Sequence, residues 1–338
     1  MNADLRAHFV AVLAVAWASV TGCGPANPAT PVAKHWSIVR GDLDRVPLCA
    51  WGATASDVWI GGGGLAADRP VLLMRGGGSS FVEQPVDVHG TVWWIHGTGA
   101  NDVWAVGQEG LALHWDGAAW SPRDTGTVAN FYGVWAAAPD DVWLVGGSPT
   151  MPGPTDVLVH YDGTSFAVVP PPRVLGATYF KVWGLSSSDV LVVASAGLAL
   201  HFDGSSWSEV ATGSQATLFT VHGAGAAVRA IGGAPPTLLR WNGSAFDTEA
   251  VPKEMSGAMT GIFVDADGTT FLTGERYQRY ERDPAGQFRN DTDSPTLFGD
   301  LHAVWADGQG NAVAVGGNYV ALTNQGIEPK GIVVRYGD

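Results

Sequence analysis

Three histidines recur in one local context: His114-Trp-Asp-Gly, His160-Tyr-Asp-Gly and His201-Phe-Asp-Gly. Imidazoles that converge in space bind transition metals. Four aspartates, Asp57, Asp102, Asp141 and Asp189, stand ahead of Val-Trp or Val-Leu, and carboxylates in pairs do general acid–base work. Asp265-Ala-Asp-Gly268 and Asp307-Gly-Gln-Gly-Asn311 open like calcium loops. Glu275-Arg-Tyr-Gln-Arg-Tyr-Glu-Arg282 is a dense Arg/Tyr group of the kind that grips anions.

The recurrence argues against chemistry in the first two sets. Side chains at one position of successive copies are held apart, and equivalent carboxylates lack the split pKa values that catalysis uses. The histidines therefore read as hydrogen-bonding groups within or between copies, and the aspartates as acceptors of backbone N–H groups that fix a turn. Neither calcium-like segment ends in a bidentate Glu, so both read as turns. No nucleophile elbow, phosphate loop or His-Glu-x-x-His stretch is present. The Arg/Tyr run reads as a solvated outer strand, with a partner-binding edge as the alternative. No catalytic residue, no metal site and no cofactor is expected.

These residues sit in a unit of ~40 residues, which the chain repeats. The copies align on the residue that ends a first strand: Trp51, His96, Trp135, Trp183, His222, Phe263 and Trp305. Apolar residues alternate inside each copy, as Leu111, Leu113 and Trp115 do against Ala112, His114 and Asp116. Period two means strands. The expectation is an all-β, seven-bladed β-propeller of four-stranded antiparallel blades over residues 34–338. Asp-Gly at 116–117, 162–163 and 203–204, and Asn242-Gly243, predict type I′ hairpins between third and fourth strands. The last copy ends after its third strand, and His35-Trp-Ser-Ile-Val39 matches Ser206-Trp-Ser-Glu-Val210. Residues 34–40 are thus expected to pair with 331–338, so that an N-terminal strand completes the last blade and removes its open edge.

Forty-six glycines and fifteen tryptophans suit tight turns around large packed rings, and a formal charge of −14 disfavours nucleic acid and anionic membrane surfaces. Phe9–Val20 is apolar but too short to span a bilayer. It leads into Val20-Thr-Gly-Cys23, which resembles a bacterial lipobox. That resemblance implies a signal peptide over 1–22, lipidation at Cys23, and a Pro/Ala-rich tether over 23–33. Gly24 in place of Asp implies outer-membrane sorting, with the membrane touched only through the lipid. Cys49 then lacks a disulfide partner and reads as a small buried apolar residue.

The pattern Asp102-Val-Trp-Ala-Val-Gly followed by Leu113-His-Trp-Asp-Gly-Ala-Ala-Trp120 resembles the repeats of BNR-type and photosystem-assembly-factor-like propellers. It is similar above all to repeat lipoproteins of the myxobacterial type. Asp-Gly without an intervening residue departs from the Asp-box spacing. The resemblance implies an envelope propeller. Sialidases share a propeller fold, but their arginines come from several blades, unlike the single run 275–282.

Strand order places the first-to-second and third-to-fourth turns on one face. The second-to-third loops and the links between blades lie on the other. The second set is the more varied (146–156, 62–70, 316–330, 170–177 and 252–258), and variable loops carry function. First strands should line a central channel. Three residues before each anchor stand Leu48, Trp93, Tyr132, Phe180, Phe219, Thr260 and His302. From these, Trp93, Tyr132, Phe180, Phe219 and His302, with Lys181 beside them, are the ligand-binding candidates. The alternative is that they only plug the channel. The functional expectation is a monomeric, non-enzymatic scaffold that binds a protein or glycan of the cell envelope through the variable face. A propeller-fold lyase or glycosidase, or an assembly factor for another envelope protein, is the alternative.

Overall fold

The computed structural model describes residues 33–64, 69–148, 156–172, 176–297, 299–318 and 329–338. The leader, Cys23 and nearly all of the tether lie outside the described residues, as do 65–68, 149–155, 173–175 and 319–328 of the variable connections. Residues Lys34–Asp338 form one compact unit, a seven-bladed propeller with four antiparallel strands per blade. The first strands are Val46–Thr54, Val92–Gly99, Phe131–Ala138, Tyr179–Ser186, Leu218–Ala224, Met259–Val264 and Asp300–Ala306. No helix among the described residues is long and apolar enough to cross a membrane.

The ring closes through the termini. His35–Leu43 pairs antiparallel with Gly331–Gly337, Trp36 opposite Tyr336, and supplies the fourth strand of blade seven. Trp36 packs on Tyr336 with ring centroids 5.4 Å apart.

Each blade buries its two faces against different neighbours, as period two demands. In blade three, Trp135, Trp143, Val145 and Leu158 join the core shared with blade four. Phe131, Val134, Leu144 and Val159 join the core shared with blade two. Seven such cores, one per junction, run around the ring. At three junctions the ring of one anchor tryptophan lies on the glycine after the next anchor: Trp51 on Gly97, Trp135 on Gly184 and Trp305 on Gly52. A Cβ at Gly184 or Gly52 would clash with the indole, and one at Gly97 would meet the Asp102 carbonyl first, with the Trp51 ring beside it.

Phe131 and Val134 are three residues apart yet share one core. Simple alternation would put them on opposite faces. The difference is a β-bulge: near the start of every first strand, pairing with the second strand skips one residue, namely Leu48, Trp93, Tyr132, Phe180, Phe219, Thr260 and His302. A bulge re-aims the extra side chain, here away from both inter-blade cores. Blades one to four skip a second residue near the strand's other end, Ala53, Thr98, Ala137 and Leu185.

Three local expectations are corrected. The third-to-fourth connections at Asp116, Asp162, Asp203 and Asn242 are four-residue loops and not type I′ turns. Trp115 pairs with Trp120, and Asp116 Oδ1 accepts the N–H groups of Ala118 and Ala119. Only the glycine has positive φ, +95° at Gly117 and +89° at Gly163. The Asp carboxylate therefore shapes the loop, where a type I′ turn would need positive φ at both central residues.

The strand-opening aspartates bind side chains and not turn amides. Asp102, Asp141 and Asp189 pair with His114, His160 and His201 at 2.7, 2.7 and 2.9 Å, and Arg75 takes this place on Asp57. Both repeated positions thus belong to one cross-strand tie.

The Arg/Tyr run is no solvated outer strand: 275–277 form a 3-10 turn, and Arg279–Arg282 is the third strand of blade six, buried at Arg279 and Tyr280. Arg279 is fully buried, and its guanidinium donates to the carbonyls of Tyr277, Asp291, Thr292 and Pro295. Its cation over the Trp36 ring, 5.7 Å away, links blade six to the closing strand.

Candidate functional site

The seven bulges sit where the first strands begin, at the end of the channel that carries the second-to-third loops. Their side chains form a chain of rings running from His302 through Trp93, Tyr132 and Phe180 to Phe219. Successive centroids are 6.3, 5.5, 5.5 and 5.4 Å apart. These rings border a cavity of about 200 Å³ that Lys181, Ala258, Thr260, Glu275 and Asp300 complete. All six sequence candidates therefore meet at one mouth. Leu48 does not line it; it is fully buried beside Val46 and Trp93.

The wall is asymmetric. Aromatic rings cover blades two to five, and Thr260, Glu275 and Asp300 face them from blades six and seven. Sequence analysis did not single out Asp300, and named Glu275 only as the first residue of the Arg/Tyr run. Asp300 stands five residues before Trp305. Glu275 reaches the mouth from a second-to-third loop, whose amide bonds to the Ala258 carbonyl at 2.9 Å. That loop is a single 3-10 turn with Arg276 at φ +58°. Blades two and four carry the same turn, with Glu109 at +53° and Ala196 at +55°, so not all connections on this face vary. Asp300 Oδ1 accepts the Arg276 N–H at 2.9 Å. Burial, with Glu275 alongside, pushes the Asp300 carboxyl above its ordinary range.

Lys181 forms the floor. Its Nζ donates to the Tyr132 carbonyl at 2.8 Å and lies 3.3 Å from the centre of the Trp94 ring. Burial drives its pKa well below the usual lysine range. Cys49 lies deeper in the wall as a buried free thiol, pushed up to about 12 by burial. His302 Nδ1 donates to the Leu48 carbonyl at 2.6 Å, and burial lowers its pKa to about 4.

Below Trp94 a second cavity opens at the opposite end, bordered by Trp51, His96, Trp183, His222, Phe263 and Trp305. His96 and His222 accept the N–H groups of Ala136 and Val264 in the following blades, at 3.1 and 2.9 Å. The turns 265–268 and 307–311 edge this mouth, and their carboxylates are taken by their own amides. No cluster of metal-ligating side chains exists among the described residues.

No protein-family model and no curated protein matches the chain. Solved structures share its fold. YCF48 bound to D1 peptide superposes with a TM-score of 0.65 at 13% identity, over 93% of this chain and 99% of that one. YCF48 from Cyanidioschyzon merolae gives 0.65 at 12%, over 89% and 98%. A catalytically inactive virginiamycin B lyase from Staphylococcus aureus, with quinupristin, gives 0.67 at 10%, over 90% and 100%. At such identities the likeness is one of fold, and these propellers include both an enzyme and a protein solved with a peptide.

Proposed function

We propose that this chain is a non-enzymatic binding propeller, tethered in a bacterial cell envelope through Cys23, that holds a protein or glycan partner at the loop-bearing mouth. One observation carries this reading: every blade places a bulge at this end of the channel, and the projecting rings line a single cavity. A bulge interrupts strand pairing, and bulges gather where a side chain must be re-aimed. Amphipathic rings around a concavity suit recognition. YCF48, solved with a peptide bound, makes a protein partner the first choice.

The test is capture from envelope extract by the full chain, beside a variant whose 146–156 and 316–330 connections are replaced by short Gly-Ser turns. A partner kept by the first and lost by the second supports the proposal. A partner indifferent to the exchange removes the loop face from it.

A second reading has its own support. Glu275 and Asp300 share one cavity, and burial raises the Asp300 carboxyl, as a general acid requires. A propeller-fold lyase or glycosidase would use them so, and turnover of envelope or plant polysaccharide that disappears in Asp300→Asn would establish it. An assembly factor for another envelope protein would share the first proposal's geometry and differ in its partner.

A further inference from the structure

We propose that the loop-bearing mouth receives an alkylated ammonium group. This rests on the reading of that mouth as a binding site and names what enters it. The faces of aromatic rings are electron-rich, and several rings around a desolvated space attract an organic cation. Trp93, Tyr132, Phe180 and Phe219 supply such a wall, and Glu275 and Asp300 supply negative charge across from it. Glu275 lies close enough to Asp300 to oppose its ionisation, and both line the cavity opposite the rings, so a cation between wall and carboxylates relieves that opposition.

The shape favours a compact head over a planar one. Successive rings are inclined at 66°, 42° and 64°, which makes an arc and not the parallel slot a guanidinium fills. A volume of about 200 Å³ admits a head group or one side chain and excludes a folded segment. Lys181 is the lining residue that would oppose a cation, and its amine is turned onto the Tyr132 carbonyl and the Trp94 face. A net charge of −14 adds long-range attraction.

The experiment is a calorimetric titration of the full chain with choline and with 3,3-dimethyl-1-butanol, an uncharged ligand of the same shape. Choline should bind about tenfold tighter or better. Glu275→Gln, at a half-exposed site, should weaken choline several-fold and leave the alcohol unchanged. Lys181→Met should leave choline binding equal or tighter, and a folded Phe219→Leu should weaken it if Lys181→Met does not fold. Equal binding of the two ligands, or choline binding indifferent to Glu275→Gln, overturns the proposal.

Competition separates sources. Displacement of choline by a trimethyllysine peptide assigns the group to a partner chain, and displacement by phosphatidylcholine vesicles assigns it to a lipid headgroup; either outcome supports the ammonium class. Capture of a partner by a chain that ignores choline keeps the binding face and overturns the cation alone.

Discussion

His96 and His222 show how a residue type that suggests chemistry can serve architecture. Each accepts an amide from the next blade through Nδ1, so each must stay neutral, and burial lowers both to about 3 from an ordinary 6.5. The sign of the pH effect follows. Between pH 6.5 and 3 the unfolded chain binds protons that the folded ring refuses, so stability falls as pH falls, by about 1.4 kcal/mol per pH unit for each histidine once below its unfolded pKa. Thermal melts at pH 7, 5.5 and 4.5 should show a falling Tm. A His96→Gln chain, which keeps an acceptor, should show a shallower fall. Equal slopes in the two proteins would remove His96 from this account. The tied pairs His114–Asp102, His160–Asp141 and His201–Asp189 were legible in sequence as structural. Their mutual pairing was not, because it depends on the register between second and third strands.

At the scale of the strand, the bulge is the device that matters. The seven channel positions were legible from their constant distance to the anchors. The bulge itself was not, since the first strands are largely apolar on both sides of the extra residue, which hides the one-residue shift in phase. Its effect is to keep Phe131 with Val134, and Tyr179 with Val182, on one face, while Tyr132 and Phe180 project into the cavity. Deleting Tyr132 should remove the bulge and leave Phe131 and Val134 two residues apart, still on one face, so the mouth loses one ring while stability falls by less than the ~3 kcal/mol of losing a buried aromatic. A denaturant melt reads this directly.

Close approach between blades gives a second prediction. Gly184 lies against the Trp135 indole, which its core holds in place, so Gly184→Ala should cost about 1–3 kcal/mol through overpacking. An unchanged melt would mean that the ring has room to move. Arg279 misled the sequence reading because a charged, Tyr-rich run reads as exposed. Four carbonyls, one buried and three part-buried, accept from its guanidinium and hold it inward. Arg279→Met should cost about 3 kcal/mol or more by leaving them unpaired, with a lowered denaturation midpoint as the readout.

At the scale of the whole molecule, seven inter-blade cores make the ring cooperative only if it is closed. The closing strand was legible from one matched segment, His35–Val39 against Ser206–Val210, because the repeat fixes which strand is missing. Removing residues 34–43 exposes the Gly331–Gly337 edge and Tyr336, which also binds Arg289 at 2.6 Å. The truncated chain should melt earlier and associate through that edge, seen as a shift in size-exclusion volume. A monodisperse chain with an unchanged Tm would mean the clasp is dispensable.

The two ends of the ring are chemically distinct, and the proposed recognition belongs to the loop-bearing one. The most direct measurement is amide hydrogen exchange of the full chain with and without its captured partner. Protection should concentrate at the starts of the first strands, around Trp93, Tyr132, Phe180 and Phe219, and in the loop 275–277. Protection at the opposite mouth, around the turns 265–268 and 307–311, or along the outer strands alone, would contradict it.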